Sequence, residues 1–130
     1  MEQTIKYIGF VHSSLSRMED CPKLESENAP EATLKILPEF VEGVKDIKPG
    51  QELILFTWLH FGERTTIKCH PRDNPESPLT GVFSTRSPDR PNPIGIHVVK
   101  VVSIVDKGLI KVDSLEVLDQ TPLIDIKPLL

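Results

Sequence analysis

Ile96-His97-Val98-Val99-Lys100-Val101-Val102-Ser103-Ile104-Val105, then Asp106-Lys107-Gly108, then Leu109-Ile110-Lys111-Val112, is the stretch that decides the fold class. An apolar strand pattern runs into a glycine turn and out into a second strand pattern. That is the layout of a β-hairpin. Immediately before it lies Gly81-Val82-Phe83-Ser84-Thr85-Arg86-Ser87-Pro88-Asp89-Arg90-Pro91-Asn92-Pro93-Ile94-Gly95. Proline fixes φ and removes a backbone donor, and it pushes the residue before it out of the helical region. Ser87, Arg90 and Asn92 are therefore expected to be extended, and this segment cannot be helical. A loop stiffened in this way holds Arg86 and Arg90 in fixed directions without a large ordering cost on binding. Such an arrangement suits an anionic or carboxylate-bearing ligand.

Outward from the hairpin, short strands recur. Ile5 to His12 reads as a first strand and Ala32 to Leu37 as a second. Pro38 to Val44 reads as one helical turn, with proline at its start and glycine near its end. Pro49-Gly50 marks a turn. Glu52 to Phe61 is the most hydrophobic strand and is expected to be central and buried on both faces. Thr65 to Cys69 reads as a strand and His70 to Leu79 as a proline-rich loop. Leu115 to Leu118 reads as a last short strand. The remainder, Asp119 to Pro128, reads as irregular chain with apolar anchors. Ser13 to Pro30, polar and acidic, is a long loop, a class that is usually functional or mobile. Many short strands with Gly and Pro turns predict a mainly β fold: one small β-barrel domain over residues 1–130, with long irregular loops.

Composition narrows the function. With 130 residues, 38% hydrophobic and 26% charged, the chain reads as an ordinary soluble protein. No apolar run approaches the ~20 residues that span a bilayer, and the N-terminus lacks a signal-peptide layout, so a cytoplasmic location is expected. Two cysteines, Cys21 and Cys69, do not make a disulfide framework, and Cys69-His70 has no partner pair at zinc-binding spacing. No metal is expected. Net charge is −4, unevenly spread. Residues 19–46 carry eight acids against three lysines; residues 64–90 carry five basic residues against three acids. A local basic patch of this kind can meet phosphates on an acidic protein if the acidic segment faces elsewhere. There is no glycine-rich phosphate loop between a strand and a helix, and no nucleophile elbow. His97, within a strand pattern, reads as a core or interface histidine rather than a catalyst. His60, at a strand end, is a candidate to line a ligand site at a barrel mouth. Asp119-Gln120-Thr121-Pro122 has two readings: an Asx-type turn, or a carboxylate held at a pocket edge.

Residues 81–95 resemble the signature of the TsaA-like family, also called tRNA methyltransferase O. Asp119 to Pro128 resembles the family's second motif. Ile8-Gly9, the strand through Trp58 and His60, and Pro71-Arg72 fall in matching order, so the resemblance covers nearly the whole chain. It implies a small β-barrel that binds S-adenosylmethionine, usually as a homodimer. It also implies methyl transfer to N6 of threonylcarbamoyl-adenosine beside the anticodon of certain tRNAs. Carried over by motif, the cofactor would touch Pro22-Lys23-Leu24, His60-Phe61, Arg86, the backbone around Ile96, and Asp119-Gln120-Thr121-Pro122. His60 or Asp119 would accept the proton lost from N6, while Arg64, Arg72 and Arg90 would meet tRNA phosphates. The sequence departs from the family in three contacts. Lys23 and Leu24 stand in a triplet that the family writes Pro-Arg-Gln, and the guanidinium fork is lost there. Gln120 stands where glycine is usual. The chain also stops soon after Pro128, without the C-terminal domain of many bacterial members. The competing expectations are a methyltransferase or S-adenosylmethionine-binding protein for a small non-tRNA substrate, and a non-enzymatic interaction module.

Overall fold

The structure, a computed structural model, describes residues 2–15 and 30–130. Six strands close on themselves as a barrel: β1 (Gly9–His12), β2 (Ala32–Ile36), β3 (Glu52–Trp58), β6 (Ile94–Asp106), β7 (Leu109–Val112) and β8 (Pro122–Pro128). The order around the barrel is β1-β2-β7-β6-β3-β8, and every pair is antiparallel. Two further strands, β4 (Lys68–Cys69) and β5 (Thr80–Gly81), form a small separate sheet. The mainly β barrel expected from the sequence is the fold observed.

Side chains alternate across a strand, so a closed sheet has one face inward and one outward. In β6, Gly95, His97, Val99 and Val101 are buried, while Ile94, Ile96, Val98, Lys100 and Val102 are exposed. The 13-residue β6 serves two partners. Its first half pairs with β3 from Trp58↔Ile94 to Glu52↔Lys100, and its second half turns through a hairpin at Gly108 (φ 78°) into β7. The interior is filled by Val11, Leu34, Leu53, Leu55, Val99, Val101, Ile110, Val112 and Leu123, with Leu115 and Val117 plugging it from a connecting segment. Each such side chain contributes roughly 1.5–3 kcal/mol on full burial.

Several expectations need correction. β3 is not buried on both faces; Leu53, Leu55 and Thr57 point into the core, while Ile54, Phe56 and Trp58 are only half-buried outside. A barrel offers a strand only one interior. Residues 5–8 are not strand, and β1 begins at Gly9. Thr65 to Cys69 shrinks to two paired residues. Leu115 to Leu118 is not a strand, although Leu115, Val117 and Leu118 are buried. Pro122–Pro128, expected to be irregular, is the strand that closes the ring between β3 and β1. Its two prolines sit at the strand's ends, positions where a missing ladder donor is tolerated. The helical turn at Pro38–Val44 is present as a 3-10 helix.

Candidate functional site

Antiparallel pairing brings one end of every barrel strand to a common rim. Trp58 pairs with Ile94, Thr57 with Leu123, Phe10 with Pro122, His12 with Thr33 and Ala32 with Val112. The C-terminal end of β3, the start of β6 and the start of β8 therefore lie together. His60-Phe61 follow the first, Ile96 lies near the start of the second, and Asp119 to Thr121 precede the third, which opens with Pro122. Leu15 and Pro30, which flank the undescribed segment, also belong to this rim: Asp119 N donates to Leu15 O (2.7 Å), and Leu115 N donates to Pro30 O (3.0 Å). Pro22, Lys23 and Leu24 lie outside the described residues.

The proline loop is held against the end of β3. Leu59 N donates to Pro93 O (2.7 Å), and Glu63 N to Asp89 Oδ1 (2.9 Å). Arg64 donates from Nε to Pro91 O (2.7 Å) and from Nη2 to Asn92 Oδ1 (3.1 Å). Its guanidinium also lies 5.1 Å from the Trp58 ring centroid, within cation–π range. The His60 and Phe61 rings are 4.1 Å apart and tilted by 40°, and Phe61 is 63% exposed.

The two arginines of the loop have different surroundings. Half-buried Arg90 donates from Nη1 to Thr85 O (3.0 Å) and Ser87 O (2.9 Å), and from Nη2 to Val82 O (2.9 Å). Three carbonyls on one planar fork make a clamp that fixes the loop's curvature. Arg86 is exposed and makes no hydrogen bond or ion pair among the described residues. Arg72 is exposed as well, in a left-handed conformation (φ 58°) that few non-glycine residues adopt.

At the start of β8, Asp119 is a hub. Its Oδ1 accepts from Ser13 N (2.9 Å) and Gln120 Nε2 (3.3 Å), and His12 Nδ1 lies 3.1 Å away. Gln120 N donates to Val11 O and Val11 N to Thr121 O, so the turn is stitched to β1 on both sides. Thr121 and Pro122 are buried. Gln120 has φ 69°, the left-handed region in which glycine carries no Cβ penalty. The glycine usual at this position thus has a backbone reason, and glutamine adopts the same conformation under strain. His12 and Ser13 carried no sequence signal for this role. Ser13 meets Asp119 across 106 residues of chain, and neither composition nor periodicity reports such a contact.

Among the described residues, no group of three or more His, Cys, Asp or Glu is placed to hold a metal ion, and no helix is long and apolar enough to cross a membrane. A groove at the opposite end of the barrel, lined by Phe40, Val44, Ile47, Glu39, Asp46 and Asp125, includes none of the candidate site residues.

A closed six-stranded barrel with a clamped proline–arginine loop and an acidic turn at one rim defines a small β-barrel ligand-binding protein. Residues 10–130 match the tRNA-methyltransferase O N-terminal domain, and the chain belongs to that family. A probable S-adenosyl-L-methionine-binding protein of Methanocaldococcus jannaschii is 42% identical, over 78% of this chain and 82% of its own length. Another, from Methanothermobacter thermautotrophicus, is 34% identical over 98% and 90%. The crystal structure of TrmO from Pseudomonas aeruginosa superposes with a TM-score of 0.77 at 28% identity; it covers all of this chain, which spans 57% of that one. S-adenosylmethionine, expected from the sequence, is the ligand named for both archaeal relatives.

Proposed function

We propose that this protein is an S-adenosylmethionine-dependent methyltransferase that methylates N6 of threonylcarbamoyl-adenosine beside the anticodon of a tRNA. The observation that carries this reading is the convergence of the family's described motif residues on one rim, with Arg86 unpaired among the described residues while Arg90 is consumed in holding the loop.

The residues present fit such a cofactor. Arg86, exposed and unpaired among the described residues, offers its guanidinium to a carboxylate. The His60 and Phe61 rings offer exposed π faces to a purine. The Asp119 turn and the backbone around Ile96 offer polar groups at the same rim, and Pro22, Lys23 and Leu24 are expected to add to them. When bound, S-adenosylmethionine supplies an already activated methyl group, so the protein's task is to position the acceptor nitrogen. Asp119 Oδ1 is held by Ser13 and Gln120, which fixes the carboxylate and leaves Oδ2 to meet a ligand. His60 or Asp119 takes the proton that N6 gives up. Arg64 and Arg72 are the exposed cations that meet tRNA phosphates, with the target base splayed out of the anticodon loop. Arg90 holds the curvature of the neighbouring proline loop.

A homodimer in the cytoplasm is part of the same reading. The outward face of β6 carries Ile94, Ile96, Val98, Val102 and Ile104, each between 37% and 45% exposed. An apolar stripe of this kind fits a self-complementary partner. Light scattering of a Val98→Glu/Val102→Glu variant tests it, with a shift from dimer to monomer expected.

The deciding experiment is transfer of labelled methyl from S-adenosylmethionine to tRNA with and without the threonylcarbamoyl group. Label on the modified tRNA only is expected, with binding that weakens steeply with salt. Cofactor binding without transfer to any tRNA would favour a smaller substrate; no cofactor binding would favour an interaction module.

A further inference from the structure

Inside the barrel, beneath the rim, three polar side chains form a chain that the proposed chemistry does not use. Thr57 Oγ1 lies 2.8 Å from His97 Nε2, and His97 Nδ1 lies 2.5 Å from Glu116 Oε1. Thr57 and His97 are 0% and 3% exposed. A carboxylate only accepts, so Nδ1 carries a proton; in the neutral ring Nε2 then accepts from the threonine hydroxyl. The order hydroxyl–imidazole–carboxylate is that of a nucleophilic triad, but the hydroxyl is sealed in the core and no substrate can reach it.

We infer that Thr57, His97 and Glu116 form a largely buried positioning network that sets the spacing of the cofactor-binding rim; this rests on the S-adenosylmethionine reading above. Each member lies beside a different wall of the site. Thr57 is three residues before His60, His97 follows Ile96, and Glu116 is three residues before Asp119. The network thus joins β3, β6 and the segment that leads into β8, at the level where the three walls diverge.

Two further observations support a specific role. Gly95 pairs with Thr57 across the sheet, and a Cβ there would stand 2.5 Å from Thr57 Oγ1 and 2.7 Å from His97 Nε2. The glycine that ends the proline motif is what lets the threonine and histidine meet. Secondly, Glu116 Oε2 is buried without a hydrogen-bond partner among the described residues. Buried ionisable pairs are a poor source of stability, and an unsatisfied oxygen makes them poorer. A core built for stability alone would place apolar groups here.

The test compares Thr57→Val, Thr57→Ser and Glu116→Gln by calorimetric titration with S-adenosylmethionine, alongside thermal melting. Wild type must bind first; if it does not, the cofactor reading fails and the network is not at issue. Given binding, Thr57→Val and Glu116→Gln are each expected to weaken affinity roughly tenfold or more, as supporting-shell losses do. Thr57→Ser, which keeps the hydroxyl, recovers most of that loss. The double variant is expected to lose less than the product of the two, because one chain is broken twice. Affinity within about twofold of wild type in either folded single variant overturns the inference. So does equal weakening by Thr57→Ser and Thr57→Val, or failure of both singles to fold, since each assigns the network to the barrel rather than to the rim.

Discussion

Replacing Arg90 with alanine removes three hydrogen bonds at once, to the carbonyls of Val82, Thr85 and Ser87. Each is worth about 0.5–1.5 kcal/mol net, because water can replace the donor at a half-buried site. Val82 O keeps other partners, Thr85 N and Thr85 Oγ1, so its loss falls at the low end. The loop should therefore lose about 1.5–3.5 kcal/mol of local stability. Opening of the loop then becomes roughly 10- to 400-fold more frequent, at 1.36 kcal/mol per factor of ten. Native-state amide exchange reads this directly. The amides of Thr85, Ser87 and Asp89 are bonded within the loop, to Val82 O, Thr85 Oγ1 and Ser87 Oγ. Their exchange should accelerate by that factor, while barrel amides such as those of Leu34 and Val99 keep their rates. Cofactor affinity falls only as far as the fraction of closed, competent loops falls. Acceleration of less than about threefold at all three amides would refute the clamp and return Arg90 to the role of a phosphate contact.

Gln120→Gly relieves a left-handed backbone cost of about 1–2 kcal/mol against about 0.5–1 kcal/mol of added chain entropy. A small net rise in melting temperature is expected, and a fall would show that the glutamine side chain contributes more than its exposed bond to Asp119. Leu123→Ala, at a fully buried position where β8 closes the ring, should destabilise the fold by about 2–5 kcal/mol in urea titration. Arg86→Ala should weaken S-adenosylmethionine binding by roughly 10- to 100-fold with little change in melting temperature, as loss of a charge-assisted contact from an exposed side chain requires; unchanged binding in calorimetry would remove Arg86 from the site.

Much of the barrel was legible because its signals are local. The hairpin from β6 into β7 is announced by apolar runs around Gly108, and the turn before β3 by Pro49-Gly50. β8 was not legible: prolines at both ends and charges at Asp125 and Lys127 obscure a strand whose pairing partners lie about 70 and 115 residues away. The candidate site divides in the same way. The proline–arginine motif and the Asp119 turn stand out as residue types, yet nothing in them says which arginine faces outward. That depends on where three carbonyl groups end up in space. The apolar residues of β6 likewise read as core, and only closure of the sheet sorts Val99 and Val101 inward and Val98 and Val102 outward.

The sequence by itself determined a mainly β chain, a rigid loop before its longest strand, and a motif set specific to one family. These follow from proline's fixed φ, glycine's freedom and the order of residue types along the chain. The tertiary structure decided how the parts meet: the common rim, the clamp made by Arg90, and the buried chain from Thr57 through His97 to Glu116. Each of these rests on contacts between residues distant in sequence, and such contacts exist only once the barrel has closed.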